Sequence, residues 1–130
     1  MTICRLGVVA VFIVICAGCA TGQRATDSRA VAADFLTAMG DGDRGAACAL
    51  LAVDTREQLE YSEGEPCATS LESVDIAGGT VDTVDVWGDR AQARASTGTL
   101  FLVELDIGWR VAAAGCTRGT DGTYNCLLGA

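Results

Sequence analysis

Apolar residues follow three successive patterns along this chain. Residues 6–17 form an apolar run with no charge and no proline. From Ser28 to about Val74 the spacing is helical. Val31, Phe35, Ala38 and Met39 recur on one face of a first helix that Asp27 or Ser28 can cap. Gly40-Asp41-Gly42 stops that helix, and Asp43 caps a short second one through Ala46, Ala47, Leu50 and Leu51. Asp54-Thr55-Arg56-Glu57 has the form of a capping box and predicts a third helix reaching Tyr61. Pro66, the only proline, suits the first turn of another short helix over residues 67–73.

From Gly78 the period changes to two. Val84 and Val86 alternate with Thr83 and Asp85, and Gly88-Asp89 signals a tight hairpin. The return strand sets Ala91, Ala93 and Ala95 against Arg90, Gln92 and Arg94, so its alanine face leaves room for a helix. Residues 99–105 are apolar on both faces, which predicts a central strand, and Asp106-Ile107-Gly108 turns the chain into residues 109–113. The tail from Gly115 to Cys126 is rich in Gly and Thr and shows no period. Helices followed by an antiparallel meander predict an α+β domain, with the N-terminal helices packed on one face of a curved sheet.

The initial run has a signal peptide's layout, with Arg5 as its single early positive charge. It is roughly a dozen residues long, against about 20 for a helix that spans a bilayer. Its end, Ile15-Cys16-Ala17-Gly18-Cys19, resembles a bacterial lipobox, with Cys16 where a Leu-like residue is usual. The resemblance implies a signal segment 1–18, acylation of Cys19, and a polar tether through residue 27 ahead of one domain over 28–130. Ordinary secretion with cleavage after Ala20 is the alternative. Cys16 and Cys19 also spell C-x-x-C, but the cleavage point falls between them, which excludes a redox pair.

The chain has 9 basic and 17 acidic residues, all the basic ones Arg, and no His, for a net charge of −8. That balance argues against nucleic acid as a partner and leaves the N-terminal lipid as the attachment to a membrane. Cys48, Cys67, Cys116 and Cys126 are an even set in a small exported domain, which predicts two disulfides. Three pairings exist, and Cys48–Cys67 with Cys116–Cys126 closes the shortest loops. Four-thiolate zinc is disfavoured because close C-x-x-C pairs are missing from this set.

The order of elements resembles the NTF2-like (cystatin-like cone) domains of small actinobacterial lipoproteins. The likeness rests on F-L-x-A-M-G-D-G-D at residues 35–43, W-G-D-R-A at 87–91 and G-W-R-V at 108–111, and it covers about residues 28–115. It implies the cone fold, and one fold hosts many activities.

Family enzymes place Asp, His or Tyr in the cone's cavity. This chain lacks His for near-neutral proton transfer and Lys for Schiff-base chemistry. Asp34, Tyr61 and Trp109 remain as candidate pocket residues. The acidic stretch Glu57, Glu60, Glu63, Glu65 lacks the spacing of a calcium loop. No catalytic, cofactor or metal set is expected. The sequence favours a lipid-tethered, extracytoplasmic, non-catalytic module that binds a small hydrophobic ligand or an envelope protein. An accessory docking on a membrane-protein partner is next, and an isomerase or hydrolase using Asp34 with a tyrosine is last. Oligomeric state is not encoded in these patterns.

Overall fold

A computed structural model describes residues 17–129, with side chains from residue 22 onward. Residues 1–16 of the expected signal segment lie outside the described residues, as does the Cys19 side chain. Four α-helices come first: α1 (Ala17–Asp41), α2 (Arg44–Ala49), α3 (Val53–Glu63) and α4 (Cys67–Ser70), followed by a 3-10 turn at Leu71–Ser73. The strands β1 (Val81–Trp87), β2 (Arg90–Ala95), β3 (Gly98–Leu105), β4 (Gly108–Arg118) and β5 (Tyr124–Leu128) form one antiparallel meander in sequence order. The domain is thus α+β, with helices followed by an open five-stranded sheet, and β3 lies at its centre.

The end of α1 shows why the next helix starts where it does. Gly42 takes φ +73°, its N–H donates to Met39 O, and the Asp43 N–H donates to Ala38 O at 2.9 Å. This pair of bonds is a Schellman stop. Asp43 Oδ1 then accepts the Ala46 N–H at 3.1 Å and caps α2. Just before the stop, the helix backbone passes a loop so closely that a Cβ on Gly78 would sit 2.9 Å from the Gly40 Cα. Neither glycine has room for a side chain.

Ala32, Phe35, Leu36 and Met39 of α1 share one buried cluster with Ala91, Ala93, Leu100, Leu102, Trp109 and Val111 of the sheet. The two alanines on β2 let α1 lie close, and the leucines of β3 and Trp109 of β4 fill the rest. Burying a side chain of Phe35's size stabilises by up to about 3 kcal/mol. Each buried side-chain N or O among the described residues has a partner. Ser28, for example, bonds back to Ala25 O at 3.1 Å.

The free edge of β4 is covered along its length by two different segments. The Ala52 N–H donates to Val111 O, and the Val111 N–H donates to Leu50 O, both at 2.8 Å. Farther on, β5 pairs from Ala114↔Leu128 to Arg118↔Tyr124. An edge occupied in this way cannot recruit another chain. Two bridges join Cys48 of α2 to Cys67 of α4, and Cys116 of β4 to its register partner Cys126 of β5. Such bridges belong to proteins that fold in an oxidising, extracytoplasmic compartment.

Three expectations are corrected. The residues read as a polar tether are helical, because α1 already starts at Ala17 and its Arg24 is held against the sheet. The capping box at Asp54 is not formed: pairing of Ala52 with β4 starts α3 two residues earlier, with Ala52 at the N-cap and no side-chain cap. The tail is not irregular. It extends β4 to Arg118 and adds β5, and irregular register between Thr99 and Phe101 opposite Ala113–Cys116 hides the period there.

Candidate functional site

The three residues singled out for a pocket do not meet in one. Asp34 is exposed on α1, Tyr61 is 91% exposed on α3, and Trp109 is buried in the core. The Asp34 carboxyl therefore faces solvent and cannot act as a cavity acid or base, which removes the group the isomerase reading needed.

The concavity that does exist lies on the other side of the sheet. Register places Asp85, Gln92, Phe101 and Ala113 in one cross-strand row, and Trp87, Arg90, Val103 and Arg110 in the next. Alternation puts these residues opposite Ala91, Ala93, Leu100 and Leu102, so they face away from α1. Phe101 and Tyr124 meet edge to face, with ring centroids 5.0 Å apart and planes at 80°. Such a pair contributes roughly 1 kcal/mol beyond its buried area. Gln92 Nε2 donates to the Tyr124 hydroxyl oxygen at 2.9 Å and fixes the tyrosine ring.

Trp87, Arg90, Phe101, Ala113, Tyr124 and Cys126 line a half-open hollow of about 280 Å³. The Cys116–Cys126 bridge holds β5, and with it Tyr124, against β4. Across Arg90 a second hollow of about 410 Å³ continues toward the start of α3, between Val53, Thr55 and Gln58 on one side and Val103 and Leu105 on the other. Thr55 Oγ1 donates to Ala112 O at 2.8 Å and anchors the helix beside that floor.

The charge pattern of this face departs from that of the chain. Arg90 and Arg94 stand on β2, and Arg118 is the register partner of Tyr124. Asp89 lies 3.6 Å from Arg90, and Asp85 4.0 Å from Arg94. In a protein of net charge −8, the charged side chain that lines the aromatic hollow is Arg90. The groups in reach of a bound molecule are a guanidinium, an amide, a phenol and three aromatic rings. They can hold an apolar body and one hydrogen-bonding or anionic group, and they contain no paired acid and base.

Among the described residues, no three His, Cys, Asp or Glu side chains are gathered to hold a metal ion. Among the same residues no helix is long and apolar enough to cross a membrane. No protein family, curated protein or solved structure matches the chain.

The sequence does not single out Phe101; Tyr124 reads there as an isolated tyrosine, more often at a rim than in a pocket, and Trp87 as a hairpin cap unless it lines a concavity with Trp109. A signal was present. Residues 99–105 are apolar on both faces, whereas helices cover one side of this sheet, so Phe101 and Val103 needed a second covering. Tyr124 could not be paired with them while β5 was read as an irregular tail.

Proposed function

We propose that this protein is an exported lipoprotein, acylated at Cys19, whose NTF2-like domain is a non-catalytic module that binds a small apolar ligand against Trp87, Phe101 and Tyr124. The observation that carries the binding reading is the half-open aromatic hollow on the sheet face opposite α1. Export is supported by the two disulfides and by the apolar leader that ends in a lipobox-like sequence. The cone-fold reading is supported by the order of elements, helices before an antiparallel meander. Arg90 beside the hollow favours a ligand that carries one anionic or acceptor group on its apolar body.

Native mass spectrometry of protein purified from its own envelope tests the binding reading. The expected result is a retained apolar compound that is lost on Phe101→Ala. Ligand-free protein, together with no binding of a fluorescent apolar probe that Phe101→Ala weakens, would overturn it. The intact mass of the same preparation tests lipidation. A diacylglyceryl thioether on a chain that begins at Cys19 supports it, and an unmodified chain that begins after Ala20 refutes it.

A further inference from the structure

The point where α1 enters the domain fixes which end of the sheet faces a membrane. Arg24 Nε and Nη2 donate to Glu104 Oε2, at 2.8 and 2.6 Å, and Nη2 also donates to Gly88 O. The same guanidinium lies 5.6 Å from the Trp109 ring centroid. Farther along, Arg29 Nη1 donates to Val81 O at 2.9 Å, and Gly40 meets Gly78. The helix therefore runs from the β1–β2 turn toward the start of β1, and its N-terminus leaves the domain at the turn end. Cys19 precedes Arg24 by five helical residues, roughly 7.5 Å of axial rise.

In a meander, the β1–β2 and β3–β4 turns lie at the same end. Both carry an exposed apolar side chain, Trp87 at 50% and Ile107 at 70% exposure. Val53, 56% exposed, adjoins them, because it lines the same hollow as Asp89, Arg90 and Leu105. Among the described residues five large hydrophobic side chains are exposed, and three of them gather at this end. The tip acids Asp89 and Asp106 are balanced by Arg90 and Arg110, with Asp89 3.6 Å from Arg90. Asp54 beside Val53 adds one further carboxylate, and the rim of this end is otherwise apolar and charge-balanced.

We infer that the turn end of the domain docks on the lipid interface itself, with Trp87, Ile107 and Val53 inserted among the headgroups. The inference rests on the membrane attachment proposed above, since Cys19, the proposed acylation site, lies in the part of α1 that leaves the domain at this end. Indole rings settle at headgroup depth, and branched side chains add transfer energy there. The Trp87 side of the ligand hollow then opens toward lipid rather than toward bulk water.

The test uses the full chain purified from a bacterial envelope and mixed with phosphatidylcholine vesicles that carry a shallow nitroxide. The docked state predicts quenching of Trp87 fluorescence, absent in Trp87→Phe because Trp109 is buried. Ile107→Ser should lower the ratio of docked to undocked protein roughly tenfold. Intact mass of the same sample separates this inference from lipidation. Quenching on an unacylated chain supports docking and refutes acylation. An acylated chain that floats with the vesicles while Trp87 stays unquenched overturns docking and leaves the anchor standing. Lack of both signals removes both.

Discussion

The two faces of the sheet are made of different residues for different ends. The face toward α1 carries Ala91, Ala93, Leu100, Leu102 and Val111, each no more than 1% exposed. The opposite face carries Arg90, Gln92, Arg94, Phe101 and Tyr124, none of them buried, with Trp87 half open. β3 serves both faces: Leu100 and Leu102 are buried toward α1, while Phe101 between them stays partly exposed on the other side. The covered face supplies stability. On the binding reading proposed above, the open face supplies recognition, and its aromatic side chains stay partly wet. Substitutions on the two faces should therefore separate stability from binding.

The largest expected effect is on the covered side. Phe35→Ala removes a fully buried ring between helix and sheet, and should cost about 4 kcal/mol in a denaturant titration. Ligand affinity of the molecules that remain folded should be unchanged. Cutting the Cys116–Cys126 bridge by a double Ser substitution comes next. The ten-residue separation predicts a loss of about 3 kcal/mol in the chain-entropy view. Because that bridge also positions Tyr124, the change is expected to lower ligand affinity along with a large loss of stability. A bridge variant that binds normally would show that β5 is set by its backbone pairing alone.

Open-face changes should act the other way. Phe101→Ala should reduce ligand affinity by roughly tenfold or more, by removal of one wall of the hollow. Its stability cost should stay near 1 kcal/mol, because the ring is already partly exposed. A loss as large as that of Phe35→Ala would mean that the open face is a core in disguise and would sink the division of labour. Arg24→Ala tests the clamp at the end of α1. Its cation–π contact and part-exposed ion pair are together worth about 1 kcal/mol. Hydrogen exchange should show fraying of α1 ahead of Ser28 while the amides near Phe35 stay protected.

Those contrasts also explain which features could be read from the residues alone. Local signals were legible. Gly42 after an apolar stripe ends α1, the alanines of β2 mark a close helix, and the two-sided apolarity of residues 99–105 marks the central strand. Each depends on neighbours within a few positions. Contacts across long separations were not legible. The polar stretch before Ser28 is helical because Arg24 reaches Glu104, 80 residues away, and nothing local in that stretch requires it. The start of α3 is set by Val111, which is also remote in sequence. The candidate site failed for the same reason. Residue type alone points to Asp34, Tyr61 and Trp109, whereas the hollow is assembled by strand register, and its last wall, Tyr124, sits on β5, beyond the stretch of β4 around Gly115 where the period is lost.

The smallest effect concerns the turn that delivers Tyr124. Asp121 Oδ1 accepts the Thr123 hydroxyl at 2.7 Å and the Thr123 N–H at 3.1 Å. The Thr123 hydroxyl, and after it the Thr123 N–H, hold the Asp121 carboxyl below the ordinary aspartate range. Both donors prefer the charged form, so the turn is favoured when Asp121 is ionised. The contribution is present above the unfolded carboxyl's pKa and is lost as pH falls through the lower folded value. A carbon-detected NMR titration of the side-chain carboxyl should show this depressed midpoint. Thr123→Val deletes the hydroxyl and keeps the N–H, so the midpoint should rise only part of the way back. An unchanged midpoint would assign the effect to the backbone alone. If the turn matters to the open face, the Phe101–Tyr124 contact should loosen in Thr123→Val as ring-current shifts, with the protection of Phe35 and Leu102 unaltered.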